Sequence, residues 1–303
     1  MTEITIDDHH LESFKDSVVL ITGGASGIGL ATGLLAEKHG AKVVVGDLNP
    51  LPNDESIEGK NILYLPLDVT SWESQSAFFK KAYEKHGRID HVFANAGVAP
   101  KANWLDEIVD EESGELQEPD YNSFAINLRG TMNTAWLALH YMKKRQQPPG
   151  GSILITSSVA GIIGFPELDY SVAKHASHGL ARSLAVNLRR VPSQAFPSIR
   201  VNCLAPSWTV TSMVPAAVAS LGANMQSPQA VARTAALLLA DKSRHGETVL
   251  VHGGRSVEIG RGMHEGVVKL EPRLEGGECL GVLFEGMKDW ATFDKGREDG
   301  EGK

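Results

Sequence analysis

A tyrosine and a lysine, Tyr170 and Lys174, stand four residues apart in a stretch whose apolar spacing predicts a helix over residues 170–190. Side chains at this spacing project from one face of a helix, about one turn apart. A phenol with its ordinary pKa of about 10 is a poor base at neutral pH, and a nearby ammonium favours the phenolate. We therefore expect Lys174 to lower the pKa of Tyr170, so that the phenolic oxygen can exchange a proton with an alcohol.

Three further polar residues could complete such a centre. Ser158 lies twelve residues before the tyrosine, at the end of a predicted strand, and could hydrogen-bond a substrate oxygen. Its neighbour Ser157 is the alternative for this role. Asn127, on a predicted amphipathic helix, could bind a water that relays protons toward Lys174. Serine and asparagine also serve as caps and buried structural groups, so it is the joint placement that indicates a catalytic set.

A glycine-rich turn between the first predicted strand and the first predicted helix could hold a phosphate group. Amide groups at a helix start point outward, and the helix dipole favours an anion there. Glycine at three positions leaves room for the backbone to turn, to approach the phosphate and to pack on the sheet. The turn reads Thr22-Gly23-Gly24-Ala25-Ser26-Gly27-Ile28-Gly29.

An acid, Asp47, follows the second predicted strand. A carboxylate about 20 residues after such a turn can bind ribose hydroxyls and repel a 2′-phosphate. Because no arginine lies in the turn or directly after Asp47, the sequence favours NAD over NADP as cofactor. Further cofactor contacts are expected where strands end, at Leu48, Asp68, Val69, Asn95, Ala96 and Gly97.

Strand and helix patterns alternate along the chain, which predicts a parallel sheet with helices on both faces. Apolar runs predict strands at 17–21, 41–46, 61–66, 91–94, 152–156, 199–204 and 248–252, and helical spacing predicts long helices at 72–86, 121–145, 170–190 and 230–240. We predict an α/β fold with a single Rossmann-like, doubly wound domain and a sheet of about seven strands. The domain is expected to span residues 15–256, with an N-terminal lead-in at 1–14 and a C-terminal extension at 257–303.

The bulk composition narrows the class of partner. A net charge of -8 and a pI near 5.8 give no basic footprint for a nucleic acid or an anionic membrane. The two cysteines, Cys203 and Cys279, have neither metal-site nor disulfide spacing, and no apolar run approaches the roughly 20 residues of a membrane span. These features predict a cytoplasmic protein that binds a small molecule, with no nucleic acid, membrane or metal partner.

Taken together, these motifs resemble the short-chain dehydrogenase/reductase family over about residues 15–256. The matching segments are the glycine turn, Asn95-Ala96-Gly97, Asn127, Ser157-Ser158, Tyr170-Ser171-Val172-Ala173-Lys174 and Arg200-Val201-Asn202-Cys203-Leu204-Ala205-Pro206. The resemblance implies a Tyr/Lys/Ser/Asn catalytic set that moves the pro-S hydride between NAD(H) and a secondary alcohol or its ketone. It also implies a homodimer or homotetramer built on the two long helices, and nicotinamide contacts from Pro206, Thr209 and Thr211.

The chain departs from the family pattern at three places. The interval from Ser158 to Tyr170 is one residue shorter than usual, so either the loop at 164–166 is reshaped or Ser157 takes the serine's role. Ser207 replaces the glycine that usually follows Pro206, which affects the segment that covers the nicotinamide. The tail beyond residue 256 has no family template, and it leaves dimer and tetramer open.

The predicted substrate side has no arginine or lysine to clamp a phosphate or carboxylate, which favours a bulky apolar or polycyclic alcohol or ketone. Its expected lining is Ser158, Val159, Phe165, Tyr170, Ser207, Trp208 and Met213, with Val214 and Trp104 as further candidates. Two other functions stay open. One is an epimerase, dehydratase or cyclase of the same fold without net redox, and the other is a non-catalytic NAD-sensing binding protein.

Overall fold

The computed structural model describes residues 1–53, 57–100, 105, 107–190, 198–214, 218 and 224–263. Nine strands within these residues form one sheet in the order β1-β9-β8-β7-β6-β5-β2-β3-β4. The strands are β1 (Thr2–Ile4), β2 (Val18–Thr22), β3 (Lys42–Asp47), β4 (Ile62–Pro66), β5 (His91–Ala94), β6 (Gly151–Thr156), β7 (Ile199–Pro206), β8 (Thr248–His252) and β9 (Arg255–Glu258).

Strands β2 to β8 run parallel, which confirms the predicted doubly wound α/β sheet of about seven strands. The strand order reverses at β2. From there the chain builds β3 and β4 on one side and β5 to β8 on the other. The connections on the two sides of a reversal diverge, and this leaves a crevice at the carboxyl ends of β2 and β5.

The helices of the described residues are α1 (Gly27–Lys38), α2 (Trp72–His86), α3 (Asn122–Phe124), α4 (Thr131–His140), α5 (Leu168–Arg190) and α6 (Pro228–Ala240). Local chemistry sets their ends. The Ser71 side chain accepts from Ser74 N to cap α2, and Gly87, with φ 74°, ends it in the left-handed conformation. Ser227 caps α6 in the same way. Of the helices in this part of the chain, none has the length and apolar character of a membrane span.

The long helix predicted over residues 121–145 is one helical run with changes in winding. Wider π-helical turns at Ala125–Gly130 and Tyr141–Arg145 flank α4, and α3 begins the run. Such turns often occur at functional sites. The first of them contains Asn127.

Two apolar layers, one on each face of the sheet, make up the core. Along β2, Val18 and Leu20 belong to one layer while Val19 and Ile21 belong to the other, because successive strand side chains point to opposite faces. The buried run predicted from the sequence is therefore a central strand that is covered on both sides. This rigid strand leads directly into the glycine turn.

Two antiparallel strands extend the sheet beyond β8, and hydropathy did not predict them. Strand β9 pairs with β8, and β1 pairs with β9, with Thr2 opposite Glu258 and Ile4 opposite Ser256. A strand of three residues is too short to show an alternating pattern. The start of the predicted C-terminal extension falls inside β9, and residues 264–303 of that extension lie outside the described residues. The division of the chain at residues 14 and 256 stays a prediction.

Candidate active site

A cavity of about 710 Å³ lies at the crevice between the carboxyl ends of β2 and β5. The glycine turn contributes to its wall, and so do the segment after β5 and the first turns of α5. Most of the residues predicted for the site line it: Gly23, Ser26, Gly27, Ile28, Asp47, Leu48, Asp68, Val69, Asn95, Ala96, Gly97, Ser158, Val159, Phe165, Tyr170, Lys174, Pro206, Ser207, Trp208, Thr209, Thr211 and Met213. Two predicted residues, Gly29 and Asn127, lie behind this wall.

The glycine turn has a shape that only glycine permits at two positions. Gly23 has φ +66°, and a Cβ there would lie 2.7 Å from the Ala96 Cα. A Cβ on Gly29 would collide with the carbonyl oxygen of Gly23. The missing side chains leave an open cradle at the N-terminus of α1, where backbone amides and the helix dipole favour a phosphate. The turn therefore fits the pyrophosphate of a dinucleotide.

Thr22 and Asn95 brace this turn from behind. The Asn95 Nδ2 donates to the Gly23 carbonyl at 3.0 Å, and the Thr22 Oγ1 accepts from the backbone amides of Asn95 and Ala96 at 3.1 and 3.2 Å. These contacts tie the end of β2 to the end of β5. Although Asn95 lines the cavity, its amide group holds the protein's own backbone.

The acids after β3 and β4 also organise local backbone. The Asp47 carboxylate accepts from Ala25 N in the glycine turn and from Asn49 N, each at 3.1 Å. Asp68 accepts from the amide and the hydroxyl of Thr70, at 2.8 and 2.7 Å. Leu48 is 72% exposed and projects beside Asp47 at the cavity rim. No arginine is among the described residues that line the cavity.

Tyr170, Lys174 and Ser158 converge at the other end of the cavity. The Lys174 Nζ lies 5.5 Å from the centroid of the Tyr170 ring and donates to the Thr156 carbonyl at 3.2 Å. The Ser158 hydroxyl is close enough to the phenol to hydrogen-bond it, and it also lies 3.4 Å from the Pro206 carbonyl. The predicted serine, tyrosine and lysine are thus brought together from β6 and α5.

The prediction that the pKa of Tyr170 is lowered is wrong for this structure. Burial raises the pKa of Tyr170 above its ordinary value, and the neighbouring Ser158 hydroxyl lowers it by less. Burial also lowers the pKa of Lys174 to about 8, so the lysine is still mostly protonated at neutral pH and loses its charge in the alkaline range. For the phenol, the effect of desolvation outweighs that of the Ser158 hydrogen bond. Tyr170 is therefore a protonated phenol at neutral pH.

The two adjacent serines occupy different environments. The Ser157 hydroxyl donates to the Lys174 carbonyl at 2.8 Å, which ties β6 to α5. The Ser158 hydroxyl accepts from Ala160 N at 3.2 Å and lies beside the phenol. This difference favours Ser158 over Ser157 as the residue that meets a substrate oxygen.

Asn127 is fully buried and bonds the backbone that follows Gly97. Its Oδ1 accepts from Val98 N at 2.9 Å, and its Nδ2 donates to Val98 O at 3.1 Å. A Cβ on Gly97 would lie 2.8 Å from this Oδ1 and 3.5 Å from the Lys174 Nζ, so Asn127 and Lys174 flank the same glycine. The side chain thus holds the segment after β5 in place, and the predicted water relay stays a prediction.

The segment after β7, which is predicted to contact a nicotinamide, lines the cavity. The Thr209 hydroxyl is buried and donates to the Ser207 carbonyl at 2.9 Å, while Gln226 bonds it from behind at 3.3 Å. Thr211 lies against Gly27, where a Cβ would come within 3.1 Å of its methyl group. Of the two threonines, Thr211 is the more accessible from the cavity. Gln226 carried no sequence signal, because a lone glutamine belongs to no motif.

The side of the cavity predicted for the substrate is mostly apolar. The rings of Phe165 and Trp208 contact each other with centroids 5.7 Å apart, and Val159 and Met213 add apolar surface. The Ser207 hydroxyl bonds the His252 ring at 2.9 Å. Trp104, another candidate for this wall, lies outside the described residues.

One charged residue on this side was missed by the sequence reasoning. Glu167 lines the cavity, and its Oε2 is buried without a hydrogen-bond partner. The shortened loop between Ser158 and Tyr170 was recognised as unusual, but nothing in the sequence indicates which way a loop carboxylate points.

Comparisons with known proteins agree with this architecture. Residues 17–221 match the family described as short chain dehydrogenase. The chain is 47% identical over 261 residues to the short-chain dehydrogenase/reductase ascJ of Acremonium egyptiacum, covering 86% of each chain. It is 32% identical over 223 residues to a 5'-hydroxyaverantin dehydrogenase of Dothistroma septosporum, covering 67% of this chain and 71% of the relative. The crystal structure of levodione reductase superposes with a TM-score of 0.66 at 29% identity, covering 80% of this chain and 98% of that one.

The protein belongs to the short-chain dehydrogenase family. It is an oxidoreductase of the dehydrogenase/reductase type that acts on CH–OH groups with a nicotinamide dinucleotide, NAD or NADP.

Proposed function

We propose that the protein transfers hydride between NAD(H) and a bulky, largely apolar secondary alcohol or its ketone. One observation carries this proposal. Tyr170, Ser158 and Lys174 converge in the same cavity as the glycine turn, so a substrate carbonyl beside the phenol would lie next to the nicotinamide end of a dinucleotide. The bound nicotinamide would supply or accept the hydride.

The dinucleotide would be held along the carboxyl edge of the sheet. The amides at the start of α1 would bind its pyrophosphate, and Asp47 would accept hydrogen bonds from the adenosine ribose. Thr211 and the segment after Pro206 would cover the nicotinamide. The glycine cradle, which a Cβ on Gly23 or Gly29 would fill, supports this fit.

Side chains of the protein would transfer the proton to or from the substrate oxygen. In ketone reduction, the protonated Tyr170 would donate to the carbonyl oxygen while Ser158 hydrogen-bonds that oxygen and fixes its position. The Lys174 ammonium, beneath the tyrosine ring, would stabilise the phenolate that this transfer leaves behind. In alcohol oxidation, the same groups would act in reverse. Asn127 would keep the backbone beside Lys174 in register.

NAD is the proposed cofactor because the ribose end of the cavity is acidic. The Asp47 carboxylate lies at the cavity wall, and no described lining residue is an arginine that could neutralise a 2′-phosphate. The negatively charged 2′-phosphate of NADP would be repelled by the negative charge of Asp47.

The substrate proposal is supported by the apolar wall of Phe165, Trp208, Met213 and Val159. Names of similar proteins are consistent with it: a 5'-hydroxyaverantin dehydrogenase is named for the oxidation of a hydroxy compound and a levodione reductase for the reduction of a dione. A small-molecule alcohol or ketone without a phosphate or carboxylate handle is therefore the expected partner.

A turnover assay tests the proposed function. The purified protein is incubated with NADH or NADPH and a panel of bulky ketones, and with NAD or NADP and the matching alcohols, and the absorbance of reduced nicotinamide is followed. We expect turnover of bulky apolar ketones, with NADH preferred. Conversion of a substrate without net change in the cofactor would instead indicate an epimerase or dehydratase, and nucleotide binding without any conversion would indicate a binding protein.

A further inference from the structure

A buried glutamine, Gln226, lies behind the segment that follows β7. It stands two residues before α6, and only 4% of it is exposed. Its backbone amide donates to the Trp208 carbonyl at 3.0 Å, and its carbonyl accepts from Val210 N at 2.9 Å, so the two stretches pair like short parallel strands. We call residues 207–211 the post-β7 segment. Its residues that line the cavity are Ser207, Trp208, Thr209 and Thr211.

The side chain of Gln226 joins this segment to the edge of the sheet. Its Nε2 donates to the Val251 carbonyl in β8 at 2.9 Å, and its Oε1 accepts from Gly254 N, in the turn between β8 and β9, at 3.1 Å. The same Nε2 lies 3.3 Å from the Thr209 hydroxyl and 3.5 Å from the Ser207 hydroxyl. Because both ends of this buried amide are bonded, its orientation is fixed, and it can hold the segment in place.

The two hydroxyls that face Gln226 are also engaged by other groups of the protein. The Thr209 hydroxyl donates to the Ser207 carbonyl at 2.9 Å, and the Ser207 hydroxyl bonds the His252 ring at 2.9 Å. A glycine at position 207, the usual residue of the family pattern, could not make the second bond. The serine that departs from this pattern is therefore part of a polar cluster behind the cavity wall, formed by Ser207, Thr209, Gln226 and His252.

We propose that Gln226 is a positioning residue for the nicotinamide end of the cofactor. It is not among the described residues that line the cavity, so it would act through the post-β7 segment and would not touch the dinucleotide. This inference rests on the proposed function, in which this segment covers the nicotinamide. Without the amide, Gly254 N would lose its acceptor and the Thr209 hydroxyl a donor, and the segment would be tied less firmly to β8.

The location of these contacts distinguishes positioning from general stability. The hydrogen bonds of the Gln226 side chain lie at the post-β7 segment, at β8 and at the turn after β8. The proposed sites for the pyrophosphate and the adenosine ribose lie at the start of α1 and at Asp47. A shift of the post-β7 segment should therefore weaken the contacts to nicotinamide more than those to the rest of the dinucleotide.

Two nucleotides test this difference. ADP-ribose shares the adenosine, the pyrophosphate and the second ribose of NADH but lacks the nicotinamide. Calorimetric titration gives the dissociation constant of each nucleotide for wild type and for Gln226→Leu, which removes the amide. We expect wild type to bind NADH more tightly than ADP-ribose. In Gln226→Leu this preference should fall about 5- to 10-fold, the range for the loss of one or two buried hydrogen bonds, and the KM for NADH in turnover should rise with it.

Gln75→Leu is the matched control for the loss of a buried glutamine. The Gln75 Nε2 bonds the carbonyls of Val69 and Gly130, at 2.6 and 3.2 Å, between β4 and α4. Gln75→Leu should lower the melting temperature without changing the preference for NADH over ADP-ribose. Gln229→Leu, at an exposed position of α6, should change neither. A fall in the preference that is equal in Gln75→Leu and Gln226→Leu would mean that it reflects lost stability, and the inference would be overturned.

A milder variant covers the case in which Gln226→Leu does not fold. Thr209→Val removes a hydroxyl that Gln226 bonds and keeps the size of the side chain. It should lower the preference for NADH in the same direction, by about two- to threefold. Where all variants fold, the effects of Thr209→Val and Gln226→Leu should not add in the double variant, because the two residues act through one contact. Full additivity, or a Thr209→Val protein with the wild-type preference, would contradict the inference.

Turnover separates this inference from the proposed function. If wild type binds NADH but reduces no ketone, the proposed function fails, and the preference for NADH over ADP-ribose still decides the role of Gln226. If wild type reduces ketones and Gln226→Leu keeps the wild-type preference, only the inference fails. Wild type that binds NADH no more tightly than ADP-ribose also overturns it, because the post-β7 segment would then have no nicotinamide contact to position.

Discussion

The phenol of Tyr170 is held between two opposing influences, because burial raises its pKa while the Ser158 hydroxyl lowers it. Replacing it with phenylalanine removes the oxygen and keeps the ring that packs over Lys174. We expect Tyr170→Phe to lower kcat about 10²- to 10⁴-fold, the usual contribution of a positioned acid or base. Steady-state kinetics on the best ketone measure this, with Tyr83→Phe on α2 as the matched control. Retention of more than about half of the activity by Tyr170→Phe would contradict the proposed proton transfer.

The raised pKa of Tyr170 also predicts opposite pH profiles for the two directions. Alcohol oxidation needs the phenolate, whose population rises about tenfold per pH unit below the pKa. Since the folded-state pKa lies above its ordinary value, the rate of oxidation should climb from neutral pH until Lys174, with its pKa of about 8, loses the charge that stabilises the phenolate. Ketone reduction uses the protonated phenol and should not rise with pH. Initial rates at saturating substrate test this, and an oxidation rate that is already constant near neutral pH would show a depressed pKa instead.

Asp47 bonds Ala25 N and lines the cavity where we propose that the adenosine ribose binds, which would give it a selective role beside its structural one. Asparagine keeps one acceptor oxygen but removes the charge that would repel a 2′-phosphate. We expect Asp47→Asn to lower the ratio of kcat/KM for NAD to that for NADP by about 10-fold or more, in line with the loss of a charge-assisted hydrogen bond. Asp120→Asn is the exposed control. An unchanged ratio would mean that Asp47 stabilises the glycine turn and does not select the cofactor.

At the scale of single residues, the sequence predicted the positions of side chains that belong to a motif. It did not predict properties that depend on the three-dimensional surroundings of a side chain. Tyr170, Lys174 and the glycine turn could be placed because helix periodicity and the order of the elements fix them relative to one another. The pKa of Tyr170 could not be predicted, because it depends on the depth of burial. The orientation of Glu167 depends on the path of one loop, and no local pattern encodes it.

At the scale of the elements, continuous apolar runs were enough to predict the central parallel strands, because strands covered on both faces lack polar residues. Strand β1 was not predicted, because it has three residues and only Ile4 packs inward. Its stability comes from pairing with β9, a contact across almost the whole described chain that no local window can reveal.

This pairing predicts the effect of a short N-terminal truncation. Removing residues 1–5 deletes β1, exposes the backbone edge of β9 and takes Ile4 from the core layer on the α1 and α6 side. We expect a lower melting temperature, by roughly 2 to 4 °C for each kcal/mol lost, and more aggregation on heating because a free strand edge can pair with another molecule. Scanning calorimetry and light scattering measure both. Glu3→Gln, which removes only the exposed ion pair with Arg255, should leave the melting temperature unchanged. An unaltered truncated protein would mean that β1 contributes no stability.

On the whole molecule, apolar side chains are exposed along α4 and α5: Met132, Trp136, Val172 and Val186. Trp136 is 67% exposed. This is unusual, because burial of a tryptophan removes a large apolar area from water. Exposed apolar side chains on neighbouring helices are typical of an interface between subunits. We propose that a second copy of the chain covers this face in a symmetric pair, so that residues of one helix meet the same residues of its partner.

A single substitution tests this arrangement. In a twofold interface Trp136→Glu introduces its charge twice, in two related positions that would lose water on association, so we expect the protein to shift from a dimer or tetramer toward the monomer. Size-exclusion chromatography with light scattering measures the mass. Leu116→Glu, at an equally exposed apolar position on the loop before α3, should leave the mass unchanged. Because α5 also carries Tyr170 and Lys174, the dissociated variant should lose part of its turnover along with its thermal stability. A monomeric wild type would mean that there is no such subunit contact. A Trp136→Glu protein of unchanged mass would mean that the contact lies elsewhere.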